Sequence, residues 1–223
     1  VIVVANEILD DFSDDNRIVN TEFIEVDFPS SVEKMPEIPD RNGRWVGIRS
    51  VRLDKASKYT IGTIVAKKYD PSYVMFFDAD DFIHRDLSEY VISHNNEIGY
   101  FISKGYLTKN NLVQKVNNFN KRCGTSNIFH FPTLLKEIRT ENINMTSSQE
   151  EIIFANDSKF IKSKLGAHKL LHDLFASKYN LRDEIPFRAG MYNIETGENT
   201  TKRNMRGGIE ISQEIKDEFN LIL

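Results

Sequence analysis

Two rhythms of apolar and polar positions run along this chain, and one gives way to the other near residue 81. Val1 to Val4 is a continuous run of β-branched residues, the pattern of a strand buried on both faces. It ends at Asn6-Glu7. Asp10 to Asn16 (DDFSDDN) is a polar loop. Thr21 to Phe28 (TEFIEVDF) alternates and predicts a second strand. PSSVEKMPEIPDRNG, with three prolines and a glycine, is an extended loop. Trp45 to Ala66 is helical in its later part, anchored by Ile48, Val51, Ile61, Ile64 and Val65. Asp70-Pro71 turns the chain, and Tyr73 to Phe77 is a third strand. Strand, loop, strand, helix, strand predicts an α/β sheet with helical crossovers.

Beyond Asp81 the elements shorten. Leu87 to Ser93 is a short helix. Glu97 to Lys109 (EIGYFISKGYLTK) predicts a hairpin turning near Lys104-Gly105. Phe119 to Phe131 is a loop running into a strand. Thr133 to Glu141 and Gln149 to Phe154 are helices. Ala167 to Tyr179 is the clearest amphipathic helix, with Leu170, Leu171, Leu174 and Phe175 on one face. IPFRAGMYN opens a short strand, which leads into a basic, glycine-containing loop carrying Lys202, Arg203 and Arg206. A last helix starts at Ser212.

Composition narrows the class. The 223 residues are 40% hydrophobic and carry a net charge of −4. One sizeable core, and so one domain over 1–223, is expected. The charge balance gives no general pull toward nucleic acid or anionic lipid. Cys123 is the single cysteine, so an internal disulfide is excluded. No stretch is apolar and long enough to span a bilayer. A cytoplasmic location, compatible with peripheral attachment to a membrane, is expected. Asn144-Met-Thr and Asn199-Thr-Thr match a glycosylation pattern and are read as chance.

The chemistry gathers at VMFFDADDF, Val74 to Phe82. If the strand persists through them, Asp78 and Asp80 share a face. An apolar strand would then deliver carboxylates to its carboxyl end, where ligands bind in open α/β sheets. Carboxylates this close raise one another's pKa unless a positive charge sits among them. A hard divalent cation, Mg²⁺ or Mn²⁺, is the usual answer, and it can take substrate phosphates in its open positions. The plainer alternative is a turn after a strand, where Asp is favoured for local reasons.

GTIVAKKYDPSYVMFFDADDFIHRDLSEYV, Gly62 to Val91, resembles the central signature of GT-A fold glycosyltransferases, particularly their inverting family 2 group. There a helix leads to a strand ending in DADD, the DXD motif. The resemblance is specific over Arg49 to Val91 and thinner elsewhere. It implies a three-layer αβα fold with a central mixed sheet, a donor half over 1–95 and an acceptor half over 96–223. It implies a nucleotide-diphosphate sugar donor of UDP or GDP type, a carbohydrate or lipid-linked acceptor, and Mn²⁺ or Mg²⁺. Asp78 would lie by the ribose or the metal and Asp80 would hold the metal. Asp81 would sit beside them on the acceptor side as an alternate ligand. VIVVANE looks like the family's second strand, with Asn6 and Glu7 by the nucleobase and a first strand missing or supplied otherwise. A turn at the strand's end is the alternative for Asn6-Glu7.

The same resemblance assigns further residues, each with a plainer alternative. Lys55, with Arg52 and Lys58 behind it, would meet the base or diphosphate, or it belongs to a solvated helix face. Gly124, Thr125 and Ser126 in CGTSNIF would border the acceptor, or they form an ordinary turn. Cys123 has no thiolate-activating setting and is not read as a nucleophile. His168 would be an extra metal ligand, or a histidine at a helix start; His172 faces the helix body and His84 solvent. An inverting transferase needs a carboxylate base. Glu150 or Glu151 in SSQEEIIF is the candidate, with Asp157 as fallback, yet acidic residues in a first turn also stabilise the helix. Two other classes stay open. One is a catalytically silent GT-A-like binding domain. The other is a nucleotidyltransferase, although no Gly-rich nucleotide loop is visible.

Overall fold

A seventeen-residue helix organises the first part of the chain because its apolar side chains return at helical spacing. The computed structural model describes residues 1–8, 20–29, 50–156, 160–194, 205 and 207–221, the side chains at 50, 51, 162, 163 and 168 excepted. Within these residues the chain runs β1 (Ile2–Ala5), β2 (Glu22–Glu25), α1 (Ser50–Ala66), β3 (Tyr73–Met75), β4 (Phe82–Ile83), α2 (Leu87–His94), β5 (Gly99–Phe101), β6 (Gly105–Lys109) and β7 (Leu112–Val116). It continues as β8 (Asn127–His130), α3 (Phe131–Leu134), α4 (Gln149–Ala155), α5 (His168–Lys178), β9 (Gly190–Asn193), β10 (Ile209–Glu210) and α6 (Gln213–Glu218). The fold is mixed α/β. The chain divides into two units, each built from two stretches: residues 1–72 with 131–171, and residues 73–130 with 172–223.

In the first unit β1 and β2 pair in parallel, Ile2 opposite Glu22 through Ala5 opposite Glu25. Strand β1 is half-buried rather than enclosed on both faces. Helix α1 buries Leu53, Ala56, Ile61 and Val65 and packs on β1 and on a π-helical turn at Ile161–Leu165. The approach to that turn is close: a Cβ on Gly166 would fall 2.0 Å from the carbonyl oxygen of Arg52. A 3₁₀ turn at Lys67–Tyr69 ends α1, and Asp70 closes it in the left-handed region at φ 44°, with Pro71 following as a stop.

The second unit holds two sheets. One has the order β10-β7-β6-β9-β4 and is mixed, because β6 and β9 pair in parallel while its other pairs are antiparallel. The other has the order β3-β8-β5 and is antiparallel throughout. Ile102, Leu107, Phe119, Ile128, Ile185 and Ala189 are the centre of its larger core. On α5, Phe175 packs on Phe129 with ring centroids 4.4 Å apart. Ser212 caps α6, as expected.

Three expectations change. Glu97 to Lys109 is not a hairpin, since β5 and β6 belong to different sheets. The hairpin is β6–β7, turned by Asn110 and Asn111, both at positive φ (48° and 62°), the left-handed conformation that asparagine tolerates. Gly105 serves packing instead: it faces Gly190 in the β6–β9 pair, and a Cβ on either would fall 2.4 Å from the Phe119 ring. The third strand ends at Met75, so Phe76 and Phe77 lie beyond it and Phe77 is 41% exposed. The helix expected over Thr133 to Glu141 is the short α3, followed by turns. Trp45, Ile48, Asp157, the loop Asp10 to Asn16, and the basic residues Lys202, Arg203 and Arg206 lie outside the described residues.

Candidate functional site

The acidic motif is a turn fastened to the segment that leads into β8. Strands β3 and β8 run antiparallel with Met75 opposite Ile128. Carrying that register forward sets Asp78 opposite Thr125. The ladder has ended there, and a side chain replaces the backbone acceptor: the Asp78 N–H donates to Thr125 Oγ1 at 2.9 Å. The Asp81 N–H donates to the Asp78 carbonyl at 3.0 Å and closes the turn. The alternation expected of a strand therefore does not orient these carboxylates. Asp78 and Asp80 are half-buried, Ala79 is exposed, and Asp81 is buried at 4% exposure.

Asp81 faces inward. The Cys123 thiol donates to its Oδ2 at 3.0 Å, and Oδ1 receives no hydrogen bond of normal geometry among the described residues. Burial pushes the carboxyl up to about 7; Thr125 and Cys123 pull it down, and the Asp78 and Asp80 charges push it further up. Burial also raises the Cys123 thiol well above its ordinary value, with the Asp81 charge adding to it. That setting suits a thiol and not a nucleophilic thiolate.

Thr125 and Ser126 are fully enclosed, while Gly124 is half-buried. The loop is tied at each step. Ser126 N–H donates to the Gly124 carbonyl at 2.8 Å, and the Ser126 carbonyl accepts from Ile102 N–H at 2.8 Å. Of the three residues expected to border the acceptor, Thr125 is the one that supports the acidic turn. Behind them lies a polar group that sequence reasoning passed over. His172 Nδ1 meets Asn127 Oδ1 at 2.7 Å, and Asn120 Nδ2 meets His172 Nε2 at 3.3 Å. Nδ1 then carries the proton and Nε2 accepts, and burial lowers the pKa of this histidine. The sequence signal for it is the i, i+4 pair His168/His172. His84 likewise does not face solvent: its ring packs 4.8 Å from that of Phe187 and 5.6 Å from that of Phe219.

The remaining candidates belong to the first unit. Asn6 Nδ2 donates to the Phe28 carbonyl at 2.6 Å, a tie between the segments that follow β1 and β2, and Glu7 is exposed. Arg52 and Lys55 are half-buried on α1. Lys55 Nζ lies 5.7 Å from the centroid of the Tyr59 ring, and Lys58 pairs with Asp54 at 3.0 Å. Glu150 is exposed in the first turn of α4. Glu151 completes a capping box: its Oε2 accepts from the Ser148 N–H at 2.7 Å, and its own N–H donates to Ser148 Oγ at 3.2 Å. His168 opens α5, and its side chain lies outside the described residues.

Among the described residues no group of three or more His, Cys, Asp or Glu side chains is arranged as a cation cage. The donor set at the turn is all carboxylate oxygen, the chemistry that suits Mg²⁺ or Mn²⁺. Asp78 and Asp80 are half-buried, whereas the buried Asp81 carboxyl is turned to Cys123. No helix of the described residues is long and apolar enough to cross a membrane. No protein-family model matches the chain, and no curated protein or solved structure matches it.

Proposed function

We propose that the chain is a metal-dependent glycosyltransferase of the GT-A type, moving a sugar from a UDP- or GDP-type donor to a hydroxyl of a carbohydrate or lipid-linked acceptor, with inversion. The observation that carries the reading is the acidic turn Asp78–Asp81, anchored where β3 leaves β8. It presents half-buried carboxylates on a backbone held by Thr125. Asp80 would hold Mn²⁺ or Mg²⁺, with Asp78 at the ribose or as a further ligand. The ion would neutralise charge gathering on the leaving diphosphate. Asn6, Glu7, Arg52 and Lys55 stay as donor-nucleotide candidates on the resemblance alone, as does His168 as a metal ligand. Of the two carboxylates proposed as general base we favour Glu150, because the Glu151 carboxylate already accepts a helix-capping bond.

A second reading is favoured by that capping box. If Glu151 serves only the helix, the chain is a nucleotide- and metal-binding domain without catalysis. Titrating the protein with UDP, GDP and CDP, with and without Mn²⁺, separates the readings. Metal-dependent nucleotide binding followed by release of sugar from a nucleotide-sugar donor supports the transferase. Binding with no hydrolysis or transfer supports the silent domain. No nucleotide binding even with metal refutes both.

A further inference from the structure

His172 joins the two ends of one loop. Residues 120–127 leave the 3₁₀ turn Phe119–Lys121 and enter β8 at Asn127. At the first end Asn120 Nδ2 meets His172 Nε2 at 3.3 Å; at the second, Asn127 Oδ1 meets His172 Nδ1 at 2.7 Å. Both amides belong to buried residues, whereas His172 is half-buried, which leaves the ring partly open to solvent. Between the two ends the loop holds Cys123 buried, and its Thr125 accepts from the Asp78 N–H at 2.9 Å. One side chain of α5 therefore ties the segment on which the acidic turn leans.

The tie uses a neutral ring. Asn127 Nδ2 donates to Ser126 Oγ at 3.1 Å, which turns the amide oxygen toward His172 and makes Nδ1 the donor. Nε2 is then the acceptor for Asn120. A proton at Nε2 would set one N–H against another, and a donor without a partner is costly beside buried groups. Burial lowers the pKa of the ring from 6.5; Asp173, the next residue on α5, pulls it back up, and Lys121 on the 3₁₀ turn lowers it further. From β5 and β8 the ring meets Phe101, with centroids 5.1 Å apart, and Asn127, both uncharged.

We infer that neutral His172 is a pH-sensitive clamp on the loop 120–127: a proton taken up at Nε2 releases the Asn120 end, and the loop opens around Cys123 while the rest of the chain stays folded. The inference is independent of any ion or nucleotide at the acidic turn.

Cys123 is the single cysteine of the chain and reports the opening. The test follows its reaction with 4,4′-dithiodipyridine, a disulfide reagent that attacks thiols at acid as well as neutral pH, between pH 4 and 8. The full chain, His172→Gln and Asn120→Asp are compared. Each rate is divided by that of the same chain unfolded in denaturant at the same pH, which gives the opened fraction. Asp81 also titrates beside Cys123, and it cancels in the ratio of parent to His172→Gln. That ratio should be constant above pH 6.5 and rise below it by up to about tenfold per pH unit, the signature of one proton. Asn120→Asp, which sets an acceptor opposite Nε2, should remove the acid opening; it carries the comparison should the glutamine variant not fold. Denaturant melts at each pH give the global unfolding constant, which should stay well below the opened fraction in acid. Parallel profiles in the parent and His172→Gln, acid opening that persists in Asn120→Asp, or an opened fraction equal to the globally unfolded fraction at every pH overturns the clamp.

Discussion

The Cys123 thiol donates to the Asp81 carboxylate across 3.0 Å, and both side chains are buried. Burial holds the Asp81 proton up to about pH 7, from an ordinary value of 3.8. The folded chain therefore keeps a proton that the unfolded chain releases near pH 4. Stability from this group is fully present below pH 3.8 and is lost as pH rises to about 7. At about 1.36 kcal/mol per pH unit the loss is on the order of a few kcal/mol. In EDTA, Asp81→Asn, whose amide oxygen can still accept from the thiol, should gain stability over the parent at pH 8 and not at pH 4. Denaturant melts at both pH values check this, and parallel pH profiles would contradict it.

Cys123 should be unreactive in the native protein. It is enclosed and its thiol is raised well above its ordinary range, and thiolate is the reactive form. Iodoacetamide at pH 8 should label it only when the chain is unfolded. Native labelling as fast as that of a free thiol would contradict the buried pair.

Gly105 and Gly190 share one neighbour. The three atoms nearest a Cβ on Gly190 all belong to the Phe119 ring, the first at 2.4 Å; a Cβ on Gly105 also meets the Gly190 carbonyl oxygen at 2.5 Å. Each alanine substitution should destabilise by about 1–3 kcal/mol or more, as overpacking does. Phe119→Leu should relieve Gly190→Ala more than Gly105→Ala, because backbone cannot yield as a ring can. Chemical melts of the double-mutant cycles check this.

His172 titrates in the other direction from Asp81. Burial lowers its pKa from 6.5, so its contribution is present above pH 6.5 and is lost as pH falls through the lower folded value. His172→Gln should flatten the acid side of the stability profile while leaving pH 8 nearly unchanged. Retention of the parent's acid-side slope would show that another group is responsible.

Much of the chain's organisation was legible. α1, α2, α4, α5, β8 and β9 follow from apolar spacing, and the cap of α6 from Ser212. The hairpin lies elsewhere than Lys104-Gly105 suggests because glycine has two uses. Lys104-Gly105 has the look of a turn, whereas Gly105 is required by the Phe119 ring, and the turn falls to Asn110-Asn111. The end of β3 was overestimated because VMFF is apolar throughout, and composition does not say where a partner strand stops. The pairing of DADD with CGTSN was invisible for the same reason. Each motif stands out alone, but only the β3–β8 register brings Asp78 to Thr125. Asp81 and Asp80 read alike in sequence and differ entirely in burial.

The central claim is a cation held by Asp80 that in turn holds a nucleotide diphosphate. Calorimetric titration of UDP and GDP into the chain and into Asp80→Asn, each with and without Mn²⁺, tests it most directly. The account predicts Mn²⁺-dependent binding of at least one nucleotide by the parent chain, and its loss in an Asp80→Asn variant that melts as the parent does in EDTA. Binding of equal strength in the two proteins, or no Mn²⁺-dependent binding by the parent, would contradict it.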